Sequence, residues 1–430
     1  MLDANGILHQ ALVVLEMPVA KRFRFEVAPA AASDGHRGCP ICLCRRGTEL
    51  HRQKFALGLD SPLPSEYTVL ACSACAFVYA NTTVGQAAYD RYYEESSAYD
   101  DPTVSTGSGF GGLDKVRLED TATIITKLAT TLQLKDRIVD VGCAGGGLLQ
   151  ILRERGFSDL SGIDPSQVCV DRVRSAGFAG TKANLADLQQ LSDPGAYSLV
   201  ILSHVVEHVW DLRSSMRQVL SLLKADGIIY MEVPDARRYC RVGFPPYYFF
   251  DCEHINHFDA DSLRNLATTI GVQVVAHGER DIAVGNGKQY PAVWVALTRT
   301  VTAEPRLVPS INLRESVAAY IAESAASIRF GRLEDLATTG RPVVLWGAGS
   351  HAQRLLAQSP LARCAIVAIV DRNSSKQGRQ FCGLRISAPE TVLASLDRDA
   401  VVVIASVLHA EEICSEIRAR GLLNEVVLEN

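Results

Sequence analysis

Residues 137–152 read RIVDVGCAGGGLLQIL, a short apolar strand followed by a glycine-rich turn and the start of an amphipathic helix. This arrangement forms a nucleotide cradle, because glycines let the backbone approach a ligand and the first helical turn presents unpaired N–H groups to it. Asp140 stands two residues before Gly142, the first glycine. A carboxylate there repels a pyrophosphate and attracts the ammonium and sulfonium of a methionine-derived cofactor. The stretch therefore predicts binding of S-adenosylmethionine rather than NAD.

A second acidic residue supports this cofactor. Strands and helices alternate after residue 137, the doubly wound α/β pattern, with strands predicted at 138–141, 160–163, 198–202 and 228–233. Asp164 ends the second of these strands, where a carboxylate can accept hydrogen bonds from both ribose hydroxyls. The predicted cofactor site consists of Asp140, Gly142, Ala144, Gly146, Asp164 and Pro165.

Length and composition bound the remaining possibilities. A chain of 430 residues exceeds one comfortable core, so two or three domains are expected. Its formal charge of −5 offers no basic surface for nucleic acid. No apolar run reaches the roughly 18 to 20 residues that cross a bilayer, and Asp3 stands where a signal peptide carries positive charge. We therefore expect a cytoplasmic protein that binds neither nucleic acid nor membranes.

Four of the twelve cysteines are spaced as two C-x-x-C pairs, Cys39 with Cys42 and Cys72 with Cys75. Two such turns direct four thiolates at one ion, and a filled tetrahedral site is structural. The pairs therefore predict a structural zinc site. The alternative is four buried thiols without a metal. Cys44 lies close by, but a closed site does not need it.

A long irregular segment follows the strand predicted at 228–233. Residues 234–259 read PDARRYCRVGFPPYYFFDCEHINHFD, and such segments at the carboxyl ends of strands often carry the chemistry of α/β enzymes. Glu253, His254 and His257 offer a base near neutral pH with neighbours that can tune it. The alternative is that these histidines only pack and satisfy backbone carbonyls.

The chain resembles the class I S-adenosylmethionine-dependent methyltransferases, whose first motif usually runs D-x-G-C-G-x-G. Ala144 replaces the central glycine here. Residues 202–210, LSHVVEHVW, look like the segment after the fourth strand of that family, which lies beside the adenosine and the transferred methyl. The resemblance implies that His204 lies at the cofactor and that His208 lines the reaction cavity. Their i, i+4 spacing would suit zinc on a helix, but a true H-E-x-x-H motif is absent, so we expect no metal there.

The cysteine pairs and the Glu253–His254 pair narrow this resemblance to the sugar C-methyltransferases. That family combines a zinc domain, a methyltransferase core and a C-terminal Rossmann-like domain, and its Tyr-x-Glu-His-x-x-Tyr-Phe motif holds the catalytic machinery. Glu253, His254 and Phe258 match this motif, whereas Asp251 and His257 stand where the family commonly has tyrosines. The resemblance implies that His254 is the general base and that Glu253 orients the substrate.

The implied reaction is carbon methylation of a nucleotide-linked keto sugar. A carbon beside a ketone becomes nucleophilic only when it loses a proton, so a base is required. The same base could serve a hydroxyl or amine, so O- or N-methylation of a sugar or natural product is the runner-up. An NAD-dependent oxidoreductase or epimerase and a non-catalytic scaffold are the remaining alternatives.

A second glycine turn occurs in residues 342–356, PVVLWGAGSHAQRLL. The distance from Gly347 to Asp371 repeats the dinucleotide pattern, but Ala352 replaces the third glycine and only about 90 residues follow Pro342, too few for a complete NAD site. The resemblance implies a degenerate Rossmann unit that holds phosphates near Gly347, Gly349, Ser350 and His351. A purely structural lid is the alternative. Lys288, in the turn 285–289, could also hold a phosphate or merely occupy a hairpin turn.

These observations predict three domains in one α/β chain. They are an N-terminal zinc-binding domain at 1–101, a doubly wound methyltransferase domain at 102–300 and a C-terminal Rossmann-like domain at 301–430. A helix over 313–336 is expected to dock the third domain. Tyr93 or Tyr99 either covers the first domain or hydrogen-bonds a polar substrate. We expect a monomer or homodimer whose partner is a small nucleotide sugar.

Overall fold

The computed structural model describes residues 37–58, 60–95, 112–128, 132–191, 194–299 and 306–428. The predicted domain boundaries at 101 and 300 lie outside these residues, as does Tyr99, so the division into three domains stays a prediction. Among the described helices, none is both long enough and apolar enough to cross a membrane.

The described strands are β1 (Gly47–Lys54), β2 (Glu66–Cys72), β3 (Val78–Asn81), β4 (Arg137–Val141), β5 (Asp159–Asp164), β6 (Ala179–Lys182), β7 (Tyr197–Ser203), β8 (Leu223–Pro234), β9 (Asn256–His257), β10 (Gln273–Ala283), β11 (Gln289–Thr298), β12 (Pro342–Trp346), β13 (Ala365–Val370), β14 (Gln380–Phe381), β15 (Leu384–Ser387), β16 (Val401–Ile404) and β17 (Glu425–Leu428). The described α-helices are α1 (Gln86–Glu95), α2 (Gly112–Leu128), α3 (Gly147–Glu154), α4 (Gln167–Ser175), α5 (Leu212–Leu222), α6 (Ala260–Ile270), α7 (Ile311–Ser327), α8 (Gly331–Thr339), α9 (Ser350–Gln358), α10 (Pro389–Leu393) and α11 (Ala410–Ala419). Short 3₁₀ turns lie at Leu185–Gln190, Val206–His208, Ala236–Arg241 and Pro360–Arg363.

The central sheet has seven strands in the order β10-β11-β8-β7-β4-β5-β6. The neighbours from β8 to β6 pair in parallel, whereas β11 runs antiparallel to both β8 and β10. The chain order reverses between β4 and β7, which is where such sheets bind ligands. The predicted doubly wound α/β class is confirmed. Strand β6 was not predicted, because its residues Ala-Gly-Thr-Lys carry no apolar run.

The cysteine-bearing segment forms a separate sheet in the order β1-β2-β3-β9. Its last strand, β9, comes from the segment 234–259 and pairs antiparallel with β3, with Val78 opposite His257. One continuous hydrophobic core includes buried residues of this sheet and of β7, β8 and β11 in the central sheet. The N-terminal sheet and the candidate catalytic segment are therefore built as one structure, which the sequence analysis did not predict.

The helix predicted over 313–336 is two helices, α7 and α8, with a break at residues 328–330. Leu313, Val317 and Tyr320 of α7 are buried in the core shared by the first two sheets, whereas Leu333 and Leu336 of α8 belong to the core of the third sheet. The expectation that one helix docks the third domain was therefore wrong.

The C-terminal residues form a third sheet in the order β14-β15-β13-β12-β16-β17. The strands from β15 to β17 pair in parallel, and β14 is antiparallel to β15. A glycine turn connects β12 to α9, as the turn after β4 connects to α3. The expected Rossmann-like arrangement at this end of the chain is confirmed.

Two buried polar side chains tie β9 to the segment after β7. The Asn256 amide donates to the carbonyl oxygens of Val206 (3.1 Å) and Val209 (2.7 Å), and its Oδ1 accepts from Arg37 Nη2 at 3.3 Å. Arg37 also donates to the carbonyl of Ala80 in β3. The side chains of Arg37 and Asn256 therefore fix the candidate catalytic segment to both sheets.

We expect Asn256→Ala to lower the free energy of unfolding by about 2 kcal/mol or more, because it leaves buried carbonyls and a buried guanidinium without their partner. Denaturant unfolding followed by circular dichroism measures this change. Asn424→Ala is the matched control, since its amide also donates to backbone carbonyls but at a more exposed site, and it should cost less than about 1 kcal/mol. Equal losses in the two variants would contradict the assigned role of Asn256.

Candidate active site

The turn after β4 needs glycine at two positions. Gly142 and Gly146 have φ of 78° and 80°, in the left-handed region. A Cβ at residue 142 would lie 2.6 Å from Cγ2 of Val205, so the segment after β7 rests directly on this turn. Ala144 also has a positive φ, 45°, where the family motif has glycine. The turn keeps its shape with alanine there, as expected from sequence.

Two buried carboxylates stand at this turn. Asp164 accepts hydrogen bonds from the backbone N–H groups of Ala144 and Ser166, each at 2.9 Å, and so joins the turn to the start of α4 beside the half-buried Pro165. Burial raises the pKa of Asp140 to about 7, and the charge of Asp164 adds to this effect. A cationic ligand would relieve this repulsion. The residues therefore fit the ammonium and sulfonium of S-adenosylmethionine.

His204 is held between two buried carboxylates. Its Nδ1 lies 3.3 Å from Glu207 Oε1, and its Nε2 lies 3.4 Å from Glu232 Oε1. Burial opposes the charged ring, but Glu207 and Glu232 outweigh burial and raise the pKa of His204. Arg280 binds Glu232 through Nη2 and Nε, at 2.7 and 2.8 Å. Both ring nitrogens face carboxylates, so His204 links the segment after β7 to β8 through Glu232. Its contact with the cofactor stays a prediction.

His208 and His254 lie together, with ring centroids 4.7 Å apart. His208 Nδ1 is 3.2 Å from the carbonyl oxygen of Glu253, which assigns the ring proton to Nδ1 because a carbonyl only accepts. Burial lowers the pKa of His208 to about 4, with Glu207 opposing this shift and His254 adding to it. His208 is therefore neutral at physiological pH, with its proton on Nδ1. Its unprotonated Nε2 lies 3.8 Å from Glu207 Oε1.

Asp251 shapes the turn that presents His254. Its Oδ1 accepts from the backbone N–H groups of Glu253 (2.9 Å) and His254 (2.8 Å), and its Oδ2 lies 3.9 Å from His254 Nδ1. Both oxygens of Glu253 accept from tyrosine hydroxyls of α1, Tyr92 at 2.6 Å and Tyr93 at 3.1 Å. Tyr93, predicted to bind substrate, and Glu253, predicted to orient it, are therefore hydrogen-bonded to each other. This contact links α1 to the loop that carries His254.

Sequence reasoning missed Glu207, Tyr92 and Asp251 as members of this site. Asp251 carried a local signal, because an aspartate two or three residues before the N–H groups it binds is typical of an Asx turn. Tyr92 lies next to Tyr93 in the sequence and could not be distinguished from it. Glu207 gave no signal of its own, since its burial depends on the distant segment that covers it.

The structure corrects the assignment of His257. This residue lies in β9 with no exposed surface, and its Nδ1 is 3.3 Å from the Tyr239 hydroxyl. Burial lowers the pKa of His257 to about 3, so the ring is neutral. Because strand pairing and packing close this ring off from any substrate, we assign His257 to the core and not to catalysis.

The predicted phosphate-binding residues lie away from the histidine pair. Lys288 donates to the carbonyl of Gly243 and covers the ring of Phe244, so it closes a loop. At the C-terminal turn, Gly347 has φ of 109° and would meet the carbonyl oxygen of Ala405 at 3.1 Å if it carried a Cβ. Gly349 and Ser350 start α9, and His351 lines a cleft described below. Phosphate binding at these residues stays a prediction.

Two groups of side chains could hold a metal ion. The four sulfurs of Cys39, Cys42, Cys72 and Cys75 lie within 4.8 Å of one another, with 3.6 Å between Cys39 and Cys75 and 3.4 Å between Cys42 and Cys72. Tetrahedral zinc with bonds of about 2.3 Å separates its sulfurs by about 3.8 Å, so this set fits zinc.

The second group is Glu207, His208 and His254, whose ligand atoms also lie within 4.8 Å. We expected no metal beside His208, because the adjacent sequence lacks H-E-x-x-H. The structure supplies His254 from a distant segment, which that motif does not describe. The geometry therefore allows a divalent ion there, while the same three groups without an ion form a buried acid and base cluster.

Comparisons with known proteins find similarity to methyltransferases. Residues 114–277 match the model of a methyltransferase domain, and residues 340–427 match a model described as C2185-like, N-terminal. A ubiquinone biosynthesis O-methyltransferase of Bordetella avium is 30% identical over 155 residues, 35% of this chain and 61% of that protein. One of Neisseria meningitidis serogroup C is 28% identical over 101 residues, 22% of this chain and 42% of that protein. The chain thus spans about half the length of the curated relatives it matches.

Among solved structures, an S-adenosylmethionine-dependent methyltransferase from Mesorhizobium loti is 18% identical, with a TM-score of 0.33, and the match covers 42% of this chain and 99% of that one. The family model and the strand order together define the middle of this chain as a class I methyltransferase domain. Its buried carboxylates at the glycine turn are the features of an S-adenosylmethionine site. The two curated relatives do not bear on the narrower resemblance to sugar C-methyltransferases.

We expect Asp140→Asn to separate cofactor binding from stability. Loss of the carboxylate should weaken S-adenosylhomocysteine binding by about 100-fold, because the ligand ammonium loses its counter-charge. Folding raises the pKa of Asp140 to about 7, so this carboxyl costs stability progressively as pH rises from about 4 to about 7, and the full cost is present above pH 7. The variant should therefore be more stable than wild type at pH 8.5, by up to about 4 kcal/mol, and the difference should be less than half as large at pH 5.

Calorimetry and thermal unfolding at both pH values measure these two effects. Asp171→Asn, at an exposed carboxylate of α4, serves as the control and should leave both quantities unchanged. A variant of Asp140 that is less stable at both pH values, or that binds the cofactor normally, would refute this account.

Proposed function

We propose that the protein is an S-adenosylmethionine-dependent methyltransferase in which the pair His208 and His254 removes a proton from the methyl acceptor. The observation that carries this proposal is the placement of a neutral buried histidine beside a second histidine, on a segment that packs against the cofactor turn through Val205. Because His208 stays neutral, its ring does not repel the positive charge that His254 gains on accepting a proton, and the closeness of the segment to the cofactor turn suits methyl transfer to the same substrate.

Each residue of the cluster has a defined part in this mechanism. The bound cofactor supplies an electrophilic methyl group. His254 accepts the proton, and the carboxylate of Asp251 stabilises the imidazolium that forms, since Oδ2 is already 3.9 Å from His254 Nδ1. Ionised Glu207 favours positive charge on both histidines. Tyr92 and Tyr93 donate hydrogen bonds to Glu253 and fix its position. Glu253 would then orient the acceptor indirectly, by holding the loop that carries His254.

We take the acceptor to be a nucleotide-linked keto sugar that is methylated at carbon. Support comes from the Glu253, His254 and Phe258 match to the sugar C-methyltransferase motif and from the cysteine sheet and C-terminal sheet that flank the domain. His254 would take the proton beside the ketone, and the resulting carbanion would attack the methyl in line with its leaving sulfur. This acceptor is a small molecule, and the proposal involves neither nucleic acid nor a membrane.

A second candidate is O-methylation. The curated relatives are O-methyltransferases by name, and their similarity lies in the same domain. The histidine pair could deprotonate a hydroxyl as readily as a carbon acid, with the oxygen then attacking the methyl. The two candidates share the cofactor site and the base, and they differ only in the acceptor atom.

The four cysteines are proposed to hold one structural zinc ion. All four coordination positions would be filled by sulfur, so the ion would stabilise the turns at 39–42 and 72–75 and would take no part in the reaction. Because β3 of this sheet pairs with β9, the ion would support the loop that carries His254 from a distance.

His254→Ala should reduce methyl transfer by at least 100-fold and leave S-adenosylhomocysteine affinity within about twofold, because the base is lost while the cofactor turn is intact. Mass spectrometry with a deuterated methyl donor and a panel of nucleotide keto-sugars measures transfer. Exchange of the sugar α-proton in heavy water without cofactor should be present in wild type and lost in the variant. His409→Ala, at an exposed histidine, is the control.

Each outcome decides between the candidates. Exchange of the α-proton with a new carbon-bound methyl supports C-methylation, and a methyl on oxygen without exchange supports O-methylation. Full transfer by His254→Ala would sink the proposed base. Micromolar binding of NAD with no binding of S-adenosylhomocysteine would overturn the whole assignment in favour of an oxidoreductase or epimerase.

Freshly purified protein should contain about one zinc ion per chain by elemental analysis, and Cys72→Ser should reduce this to near zero with a lower melting temperature. Cys44→Ser is the matched control and should retain zinc, because Cys44 lies beside the cluster but outside the four sulfurs. A wild-type zinc content near zero would refute the site.

A further inference from the structure

A cleft opens where α9 faces β1 and residues 246–247. The α9 side chains that line it are spaced i, i+3, i+4 and i+7 from His351, which is one face of a helix. His51 and Gln53 of β1 and Tyr247 also line it. Neither His208 nor His254 is among the residues that line it, so the cleft is separate from the histidine pair.

Arg354 is the unusual residue of this cleft. Its side chain is only 5% exposed, and neither Nε nor Nη1 has a hydrogen-bond partner. Within the described part of the chain, no carboxylate lies at ion-pair distance from it; its guanidinium lies 5.7 Å from the ring centroid of Tyr248. A buried guanidinium is costly unless something pairs with it, so this geometry calls for an anion.

The backbone of the cleft is strained at Tyr247. This residue has φ of 57°, a left-handed conformation that a tyrosine rarely adopts. Its ring stacks on His51 with centroids 4.3 Å apart and planes inclined by 10°, and its N–H donates to Ser324 Oγ at 3.2 Å. Strain of this kind concentrates at ligand sites, where the surrounding structure enforces it.

The remaining charges around the cleft are mostly positive. Arg329 lines it, and Nη1 of Arg329 donates to the backbone carbonyls of Ala326 and Ile328. The carboxylate that interacts electrostatically with Arg354 is that of Asp251. Burial opposes its ionisation, but His254, the His254 backbone N–H and Arg354 together lower the pKa of Asp251. The positive charge of Arg354 is therefore only partly compensated, from the side of the catalytic loop.

We propose that Arg354 binds a phosphoryl or pyrophosphoryl group in this cleft. A guanidinium recognises two phosphate oxygens at once, and Arg329 adds a second positive charge at the rim. Gln353, the neighbour of Arg354 in α9, lies 3.8 Å from Cys252 Sγ through Oε1. An anion held here is thus anchored beside the loop that carries Glu253 and His254. That this anion belongs to the methyl acceptor rests on the proposed function.

The test is titration calorimetry with inorganic pyrophosphate, which does not depend on methyl transfer. Wild-type protein should bind pyrophosphate, and Arg354→Met should bind it at least tenfold more weakly, with unchanged affinity for S-adenosylhomocysteine as evidence of folding. Arg363→Met, at an exposed arginine paired with Glu334, is the matched control and should bind like wild type. Arg354→Lys keeps the positive charge but loses the planar guanidinium that binds two oxygens. Its affinity for pyrophosphate should lie between those of wild type and Arg354→Met.

Uridine diphosphate forms a second arm of the experiment. Tighter binding than pyrophosphate identifies a nucleotide as the source of the anion, and equal binding identifies a bare phosphate; both support the site. The proposal is overturned if wild type does not bind pyrophosphate at millimolar concentration, or if Arg354→Met binds it normally while still binding S-adenosylhomocysteine. If no methyl transfer is found but pyrophosphate binding depends on Arg354, the proposed function fails and the anion site stands.

Discussion

The structure depends above all on the hydrogen bonds of Asn256. Its amide satisfies carbonyls of the 206–209 turn, its oxygen accepts from Arg37, and its strand β9 completes the sheet that carries the cysteines. Ile255 N–H also donates to the carbonyl of Glu207, at 2.9 Å. These bonds place the loop of Glu253 and His254 against the segment of His208. The candidate active site is therefore a junction between two chain segments rather than a single motif.

The junction explains how charge is arranged in the site. Glu207 has no exposed surface, and although burial opposes its ionisation, the hydrogen bond and charge of His204 lower its pKa. His204 in turn shares its charge with Glu232, which Arg280 neutralises. Positive and negative side chains thus alternate from Arg280 to Glu207. His208 lies next to Glu207, and burial keeps its ring neutral. His254, the proposed proton acceptor, lies against this neutral ring, with 4.7 Å between the ring centroids.

Local features of the site were predictable from sequence, and long-range ones were not. The strand, glycine turn and acids from Arg137 to Asp164 were located correctly, because their spacing along the chain is itself the signal. The Glu253–His254 pair was recognised for the same reason. Tyr92, Glu207 and the core position of His257 depend on α1, β3 and β9 meeting across more than a hundred residues. The break at 328–330 was also not predictable locally, because α7 packs in the core of the first two sheets and α8 packs in the core of the third.

The two glycine turns share a backbone geometry but differ in charge. Asp371 accepts from the N–H groups of Ala348 and Asn373, each at 2.9 Å, as Asp164 accepts from Ala144 and Ser166. Asp371, however, pairs with Lys376 at 3.3 Å, and leucine occupies position 345, where the first turn has Asp140. The first turn concentrates negative charge and suits a cation. The second turn has its carboxylate paired with Lys376, and the helix that follows it carries Arg354, the residue proposed to bind an anion.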